Sequence, residues 1–349
     1  MASTRDIRRR IKSINNTKKI TRAMEMVSAA KMRRAVSSVL AIRPYAHNAW
    51  SVLTNLSRAF ESTHSGLLEV REVKSVLAVA ITANRGLCSS FNSQLIKRMK
   101  DEIENPVNLK INRAGIKKIE SKISNAELRI DFITIGKKGE NALRRMQKPA
   151  RNATLARDAS PAQQTDGSHS DGRSVAVGEI IASFPQLNYL PGSEDVRPLS
   201  KIVIEKYLNK KYDKVVVFYT DYVSAIKQET RVRQMLPISK IDLEKQIAEM
   251  DVLAKEYGLE EPIAEYKVEP SPEEVLKYII PRLIEMQVYH AILESNASKE
   301  SARMMAMRNA TDAAGEMSED LTFIFNQIRQ GKITQEIAEI SAGRAALEN

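Results

Sequence analysis

Near the end of the chain, packed positions recur in alternating steps of four and three. Ile279, Leu283, Met286, His290, Leu293 and Ala297 open the series, and Met304, Met307, Ala314, Leu321, Phe325 and Ile328 keep its phase. A 3.5-residue repeat is the mark of a coiled-coil seam. Ala297, Glu300, Thr311 and Ser318 fall on the same line, so the seam is not uniformly oily. The start of the chain opens in the same way, with Ile7, Ile11 and Ile14 ahead of weaker positions. Helix breakers are distributed to match. No glycine precedes Gly66, Pro44 is the only proline before it, and no proline follows Pro281. The pattern predicts a long helix over 1–65, a compact middle over 66–270 and a second long helix over 271–349.

Both outer helices carry start signals. Ser3 precedes Asp6 by three residues, and Ser271-Pro272-Glu273-Glu274 combines an N-cap serine, a first-turn proline and a glutamate. Pro281 is expected to kink or restart the second helix, because it has no amide proton for the ladder. If the two helices pair, chain order makes them antiparallel. At ~1.5 Å per residue the first spans roughly 80 Å, and the second should overhang it by ~15–30 Å.

The middle alternates strands with helices. Residues 75–82 read as a buried strand and 90–103 as a helix. A second strand follows over 127–136, with its helix at 139–146. The run Ile180–Leu187 reads as a third strand, Ser200–Lys210 as a helix, and 214–220 with 223–236 as the closing strands. This is the signature of an α/β fold built on an open, Rossmann-like, mostly parallel sheet, with room for antiparallel pairing among its last strands. Residues 147–175 are rich in Ala, Ser, Asp, Gln and Gly and read as a flexible surface insertion, either a plain excursion or a regulatory loop.

Charge changes the picture. The net charge is +11, yet residues 1–50 alone hold twelve Lys and Arg against Asp6 and Glu25. A basic partner surface is therefore confined to the N-terminal segment. Its candidate partners are a membrane surface, a nucleic acid or another protein. No window is long and apolar enough for a transmembrane helix. A membrane-surface helix would want bulky aromatics on its apolar face. A nucleic-acid-binding helical protein would use the basic segment on phosphates, but residues 1–44 hold no aromatic to stack on bases. The methionines at 24, 26, 32, 304, 305 and 307 suit adaptable packing between helices, or a surface that meets changing partners.

Catalytic signatures are scarce. No glycine-rich dinucleotide or P-loop motif follows Thr82, and the turn Asn84-Arg85-Gly86-Leu87 reads as a simple strand-to-helix connection. His47, His64, His169 and His290 are too widely spaced for a metal site, and His290 falls on the seam as a packed core residue. Cys88, the single cysteine, has no partner for a disulfide and no local signature of an activated thiol. No catalytic residue, metal or cofactor is expected.

Four stretches carry a resemblance. The run from Ile7 to Ala35, IRRRIKSINNTKKITRAMEMVSAAKMRRA, resembles the opening of the γ subunits of F-type ATP synthases. Asn84-Arg85-Gly86-Leu87-Cys88-Ser89 resembles that family's turn after the first strand, with Asn84 in place of an aspartate and Ser89 in place of a glycine. Residues 294–314 and 329–340 match its C-terminal helix. The resemblance implies a non-catalytic rotor of the F1 part. Its antiparallel coiled coil would stand inside a ring of three α and three β subunits, and its α/β domain would form a foot on the c-ring with the ε subunit. Proton-driven rotation of the ring would then turn the shaft and change nucleotide affinity at each β.

By the same resemblance, Arg329 and Gln330, with Thr334 and Gln335 one turn on, match the β-contacting pair and its neighbours. Lys18, Lys19, Arg22 and Met24 match the N-terminal contact stretch. The coiled-coil seam would comprise Ile7, Ile11, Ile14, Leu283, Met286, Leu293, Met304, Met307, Leu321, Phe325 and Ile328. The basic helix would thus face protein, with no nucleic acid, and any membrane association would come only through the complex. The stretch 147–175 is not typical of bacterial members, and the single cysteine excludes the cysteine-pair switch of chloroplast members. With no transit peptide ahead of the family's start, the expected location is the cytoplasmic face of a bacterial inner membrane, as a peripheral subunit.

Overall fold

The computed structural model describes residues 4–55, 66–114, 117–121, 123–124, 127–147, 177–238, 248, 252 and 272–347. Ser3, Ser271 and the 148–175 part of the expected insertion lie outside the described residues. Helix α1 runs from Thr4 to Asn55. The last helix, α6, runs from Pro272 to Leu347 without restarting at Pro281. Ile280, Leu283 and Ile284, buried on either side of that proline, hold the helix through the missing hydrogen bond.

Between the long helices lie β1 (Ser75–Ile81), α2 (Phe91–Glu104), the short α3 (Val107–Lys110), β2 (Ile111–Ala114) and β3 (Lys117–Glu120). Then follow β4 (Arg129–Ile135), α4 (Lys137–Gln147), β5 (Val177–Phe184), α5 (Ser193–Leu208), β6 (Lys214–Tyr222) and β7 (Gln228–Leu236). The main sheet has the order β5-β4-β1-β6-β7. Its first four members are parallel and β7 is antiparallel to β6. The fold is therefore α/β, with an open, mostly parallel sheet between two long helices. The β2–β3 hairpin was not foreseen, because its apolar positions are swamped by lysine and arginine. The Gln234 side chain ties it to the sheet: its amide accepts from the Arg113 N–H at 3.1 Å and donates to the Arg113 carbonyl at 2.8 Å.

Cβ atoms alternate across a strand, so each strand feeds two cores. From β1, Val76, Ala78 and Ala80 pack with Leu95 and Met99 of α2 and Leu143 of α4. Leu77, Val79 and Ile81 face the other way, onto Leu199 and Val203 of α5 and Leu283, Ile284 and Ile292 of α6. Burial on both faces explains why these strands read as continuous apolar runs. Within the sheet, the buried Asp131 is fully engaged. It accepts from the Tyr212 hydroxyl at 2.7 Å, from the Glu179 amide at 2.9 Å and from Arg129 at 2.9 Å.

By contact density the chain forms two compact units, which cut across both long helices. One joins residues 1–30 with 303–349, and the other comprises 31–302. In the larger unit every α6 residue from 283 to 302 is buried except Glu285, Tyr289 and Lys299. His290 is one of them, with Nδ1 3.3 Å from the Glu294 carboxylate of the next turn. Burial, aided by the charge of Arg233, pushes its pKa down to about 3, so the imidazole is neutral and its approach to Glu294 is not an ion pair. As pH falls below the ordinary histidine value of about 6.5, the unfolded chain takes up a proton that the folded one refuses until about pH 3. The stability contributed by this group is therefore complete above that window and declines as pH falls through it. In His290→Gln, urea unfolding measured between pH 6 and 4 should show a shallower loss of stability than the wild type, by up to about 1.4 kcal/mol per pH unit. Parallel slopes would show that the imidazole takes up its proton in the folded state.

Candidate functional site

The smaller unit is an antiparallel helix pair whose register is fixed by contacts across the seam. Thr21 meets Thr311, Asn15 meets Ser318, and the Arg8 guanidinium lies 5.3 Å from the Phe325 ring centre. Each of these pairs totals 332 or 333 in residue number. Thr4 therefore stands opposite about residue 329, and the rest of α6 runs on beyond the described part of α1. Ile7, Thr21 and Ser28 of α1 and Met307 and Thr311 of α6 are buried. Ile11, Ile14, Lys18, Met304, Leu321, Phe325 and Ile328 are half-buried.

Past Ile328 every residue through Arg344 is exposed. Ile333, Ile337 and Ile340 stand 48%, 60% and 73% exposed on one face of that overhang, a pattern that a helix alone in water has no reason to keep. Arg329, Gln330, Thr334 and Gln335 are exposed at its base. The Thr334 hydroxyl donates back to the Gln330 carbonyl at 3.0 Å, and Gln335 donates to Glu339 at 2.8 Å. Lys18 is half-buried, Lys19 and Arg22 are exposed, and Met24 is half-buried. These four lie 14 or more residues along α1 from the position opposite Arg329, a separation of about 20 Å. The eight residues thus form two clusters on the helix pair.

Around α1 the two flanks of the seam differ. Arg5, Lys12 and Lys19 repeat every seven residues, with Arg8 and Arg22 one step aside, and all are exposed. The other flank carries Ile20 and Val27, 61% and 55% exposed. Over residues 5–28 one side of the helix is strongly cationic, while the other carries only Asp6 and Arg10 and is close to neutral.

In the larger unit, a parallel sheet of this kind offers a crevice at the carboxyl ends of its strands, where the connection crosses over between β1 and β6. Here side chains close it. Ala83, Cys88 and Phe91 pack against Ala302 of α6. The Ser301 hydroxyl donates to the Ala225 carbonyl at 2.6 Å. Next to it, Gly136-Lys137-Lys138-Gly139 leads from β4 into α4, a glycine-flanked turn that could cradle an anion if its amides were free. They are taken: Lys137 N–H donates to Asn84 Oδ1, Lys138 N–H to the Ala83 carbonyl and Gly139 N–H to Thr82 Oγ1, at 3.0, 3.2 and 2.9 Å. Gly136, at φ 95°, sits so close that a β-carbon there would lie 2.2 Å from the Thr82 carbonyl oxygen. Asn84 thus works as a helix cap. Sequence reading missed the pairing of this turn with Thr82; its signal was the glycine spacing after a buried strand. Cys88 is buried, with Asn92 Nδ2 3.1 Å from its sulfur.

Comparison with known proteins turns on this arrangement. The family model described as ATP synthase matches residues 3–347. The ATP synthase gamma chain of Roseiflexus castenholzii is 36% identical over 349 residues, covering 99% of both chains. That of Pelotomaculum thermopropionicum is 37% identical over 348 residues, covering 100% of both. This chain belongs to the ATP synthase gamma-chain family. Among solved structures, a chain of the Euglena gracilis mitochondrial ATP synthase (OSCP/F1/c-ring, rotational state 3) matches with a TM-score of 0.53 at 17% identity, covering 99% of this chain and 94% of that one. The rotor of the same enzyme in rotational state 1 gives 0.51 at 16% identity, covering 95% and 98%. At such identities the likeness speaks to the fold. As a gamma-family member, the chain is a subunit of an ATP synthase complex.

The turn after β1 carries a backbone cost. Leu87 and Ser89 lie at φ 62° and 48°, in the left-handed region. Such a conformation costs an L-residue ~1–2 kcal/mol, and glycine avoids it while giving back ~0.5–1 kcal/mol of unfolded-chain entropy. Ser89→Gly should therefore raise stability by roughly 0.5–1 kcal/mol, read as a higher urea midpoint for the larger unit. A lowered midpoint would mean that the serine side chain contributes more than its backbone costs.

Proposed function

We propose that this chain is the central rotor of its ATP synthase: a non-catalytic subunit that couples rotation of a c-ring to conformational changes of the catalytic β subunits, in synthesis or in reverse. The observation that carries the reading is the helix pair with its overhanging tip. A rotor can favour one state of a partner only by making different contacts with different states. The two unlike flanks of α1, one strongly cationic and one close to neutral over residues 5–28, supply that difference. As the helix turns, each β in an α3β3 ring meets a different surface. The exposed isoleucines of the overhang suit an apolar lining supplied by the same ring, which would remove them from water.

In this reading the cations of Lys18, Lys19 and Arg22, with Met24 beside them, meet acidic loops of β. Arg329 and Gln330 hydrogen-bond a β loop, with Thr334 and Gln335 bracing the next turn. Binding to an acidic partner follows from charge, and a guanidinium is the side chain best shaped to grip a carboxylate. The sheet unit is the foot, resting on the c-ring with ε. Its crevice, filled by Cys88, Phe91 and Ala302, supports the non-catalytic assignment. Among the described residues no helix is long and apolar enough to cross a membrane. A peripheral place on the cytoplasmic face of a bacterial inner membrane, held through the complex, agrees with the bacterial origin of the relatives.

Co-expression with the α and β subunits of the same genome tests this reading. The three should co-elute on gel filtration, and sustained ATPase should fall roughly ten-fold in Arg329→Ala/Gln330→Ala, the scale set by losing charge-assisted hydrogen bonds. An intact complex that hydrolyses normally would remove those two residues from the contact. Failure to assemble, with salt-sensitive binding to nucleic acid instead, would overturn the rotor itself.

A further inference from the structure

Seam residues in the first helix change character part-way along. Ile7, Ile11 and Ile14 are large and apolar, but the next positions on the same line are Lys18, Thr21, Glu25 and Ser28, before Met32. Knobs-into-holes packing, which normally prevents one helix from sliding past another, is weakest over this stretch. Hydrogen bonds replace it. The Thr21 and Thr311 hydroxyl oxygens are buried and 2.7 Å apart, a distance that requires a proton between them. Each is also joined to its own helix, Thr21 to the Lys18 carbonyl at 3.1 Å and Thr311 to the Met307 carbonyl at 2.8 Å. Two hydroxyl protons are shared among these three contacts, so when the bond across the seam is made one of the two threonines gives up its bond to its own helix. One turn away, Lys18 lies over Gly315, where an added β-carbon would stand 3.0 Å from its ammonium nitrogen. One turn further, the Ser318 hydroxyl and Asn15 Oδ1 are 3.1 Å apart.

We propose that the buried Thr21 and Thr311, with the more exposed Asn15–Ser318 pair beside them, are positioning residues that lock the axial register of the helix pair, so that it resists sideways force as one beam. This rests on the rotor reading. A partner that drives or brakes a shaft pushes it sideways, and bending makes one helix of a pair slide along the other. Helices free to slide bend separately and compliantly. Helices pinned against sliding share the load across the 8–10 Å between their axes and are much stiffer. A seam of apolar residues alone would be as stable or more so, but it would tolerate a shift of one heptad. Here a shift breaks the buried Thr21–Thr311 bond and leaves each hydroxyl only the carbonyl of its own helix. The device trades stability for a single register, placed where the α1 side chains are too small or too polar to lock by shape.

The test uses the assembled membrane complex in inverted vesicles, reading ATP hydrolysis and ATP-driven ion pumping together. Thr21→Val/Thr311→Val with Ser318→Ala keeps the shape of the buried pair and removes the bonds. Its thermal stability should be unchanged or raised, while ions pumped per ATP fall by about half or more. Thr21→Ser/Thr311→Ser, which keeps both hydroxyls, should pump as the wild type does. Thr21→Cys/Thr311→Cys in a Cys88→Ser background should couple fully when oxidised and lose coupling on reduction. Valine variants that pump at the wild-type ratio would overturn the lock while leaving the rotor standing. A wild-type complex that shows no ATP-driven pumping would bring down the rotor reading, and the lock with it.

Discussion

A helix of 76 residues satisfies its own backbone over its whole length, so it can pass from a protein interior into open solvent without an intervening cap. The rest of this structure depends on that property of α6. Between 283 and 302 it is enclosed almost all round. There even polar side chains are buried, and they need partners. Asn296 donates to the Tyr189 carbonyl at 2.8 Å and Lys299 to Asn296 Oδ1 at 2.7 Å. From 308 to 328 only one line of side chains is covered, and from 329 to 344 none is. One element therefore serves as core, as half of a two-helix seam and as an open surface, with only the side chains changing.

Within the larger unit, the loop after β5 holds both long helices at once. The Tyr189 hydroxyl donates to the Lys31 carbonyl of α1, while its ring lies 5.4 Å from the Lys31 ammonium and 5.5 Å from that of Lys299 on α6. Contacts of this kind are worth of order 1 kcal/mol each. The apolar layer of Leu283, Ile284, Val288 and Ile292 against α5 and the strands outweighs them and anchors α6. The polar ties add direction. They fix which face of each helix meets the sheet unit, which burial alone leaves loosely defined.

How much of this the sequence discloses depends on the range of the interaction. The 3.5-residue repeat is written in local spacing, and Ile7, Thr21, Met307 and Thr311 are buried on that line in the helix pair. Leu283, Met286, His290 and Leu293 keep the phase but lie where α6 is enclosed almost all round in the larger unit, so their burial does not mark a two-helix seam. The strand alternation was legible because buried parallel strands are apolar throughout. Boundaries shifted where tertiary contacts decide them: α5 begins at Ser193, seven residues before the helix read from the sequence, because the loop ahead of it is tied to the long helices. The hairpin β2–β3 and the capping of Gly139 by Thr82 join residues far apart in the chain, and no local pattern announces them. Arg329 and Gln330 remained invisible to periodicity and charge. An exposed arginine on a helix looks the same whether or not a partner awaits it, and only the resemblance singled it out.

The closed crevice completes the physical case. An open parallel sheet leaves amides and space at the carboxyl ends of its strands, and most such folds put a ligand there. In this chain Thr82, Ala83 and Asn84 occupy the amides of the α4 turn, and Ala302 fills the space against Cys88 and Phe91. Opening that site to a nucleotide would require withdrawing buried apolar side chains from α6 and stripping three capping bonds, each carrying a cost of order 1 kcal/mol or more. Such a joint gains nothing from binding a ligand and loses rigidity if one enters. A subunit whose work is to transmit force has reason to spend its best binding position on holding its longest helix still.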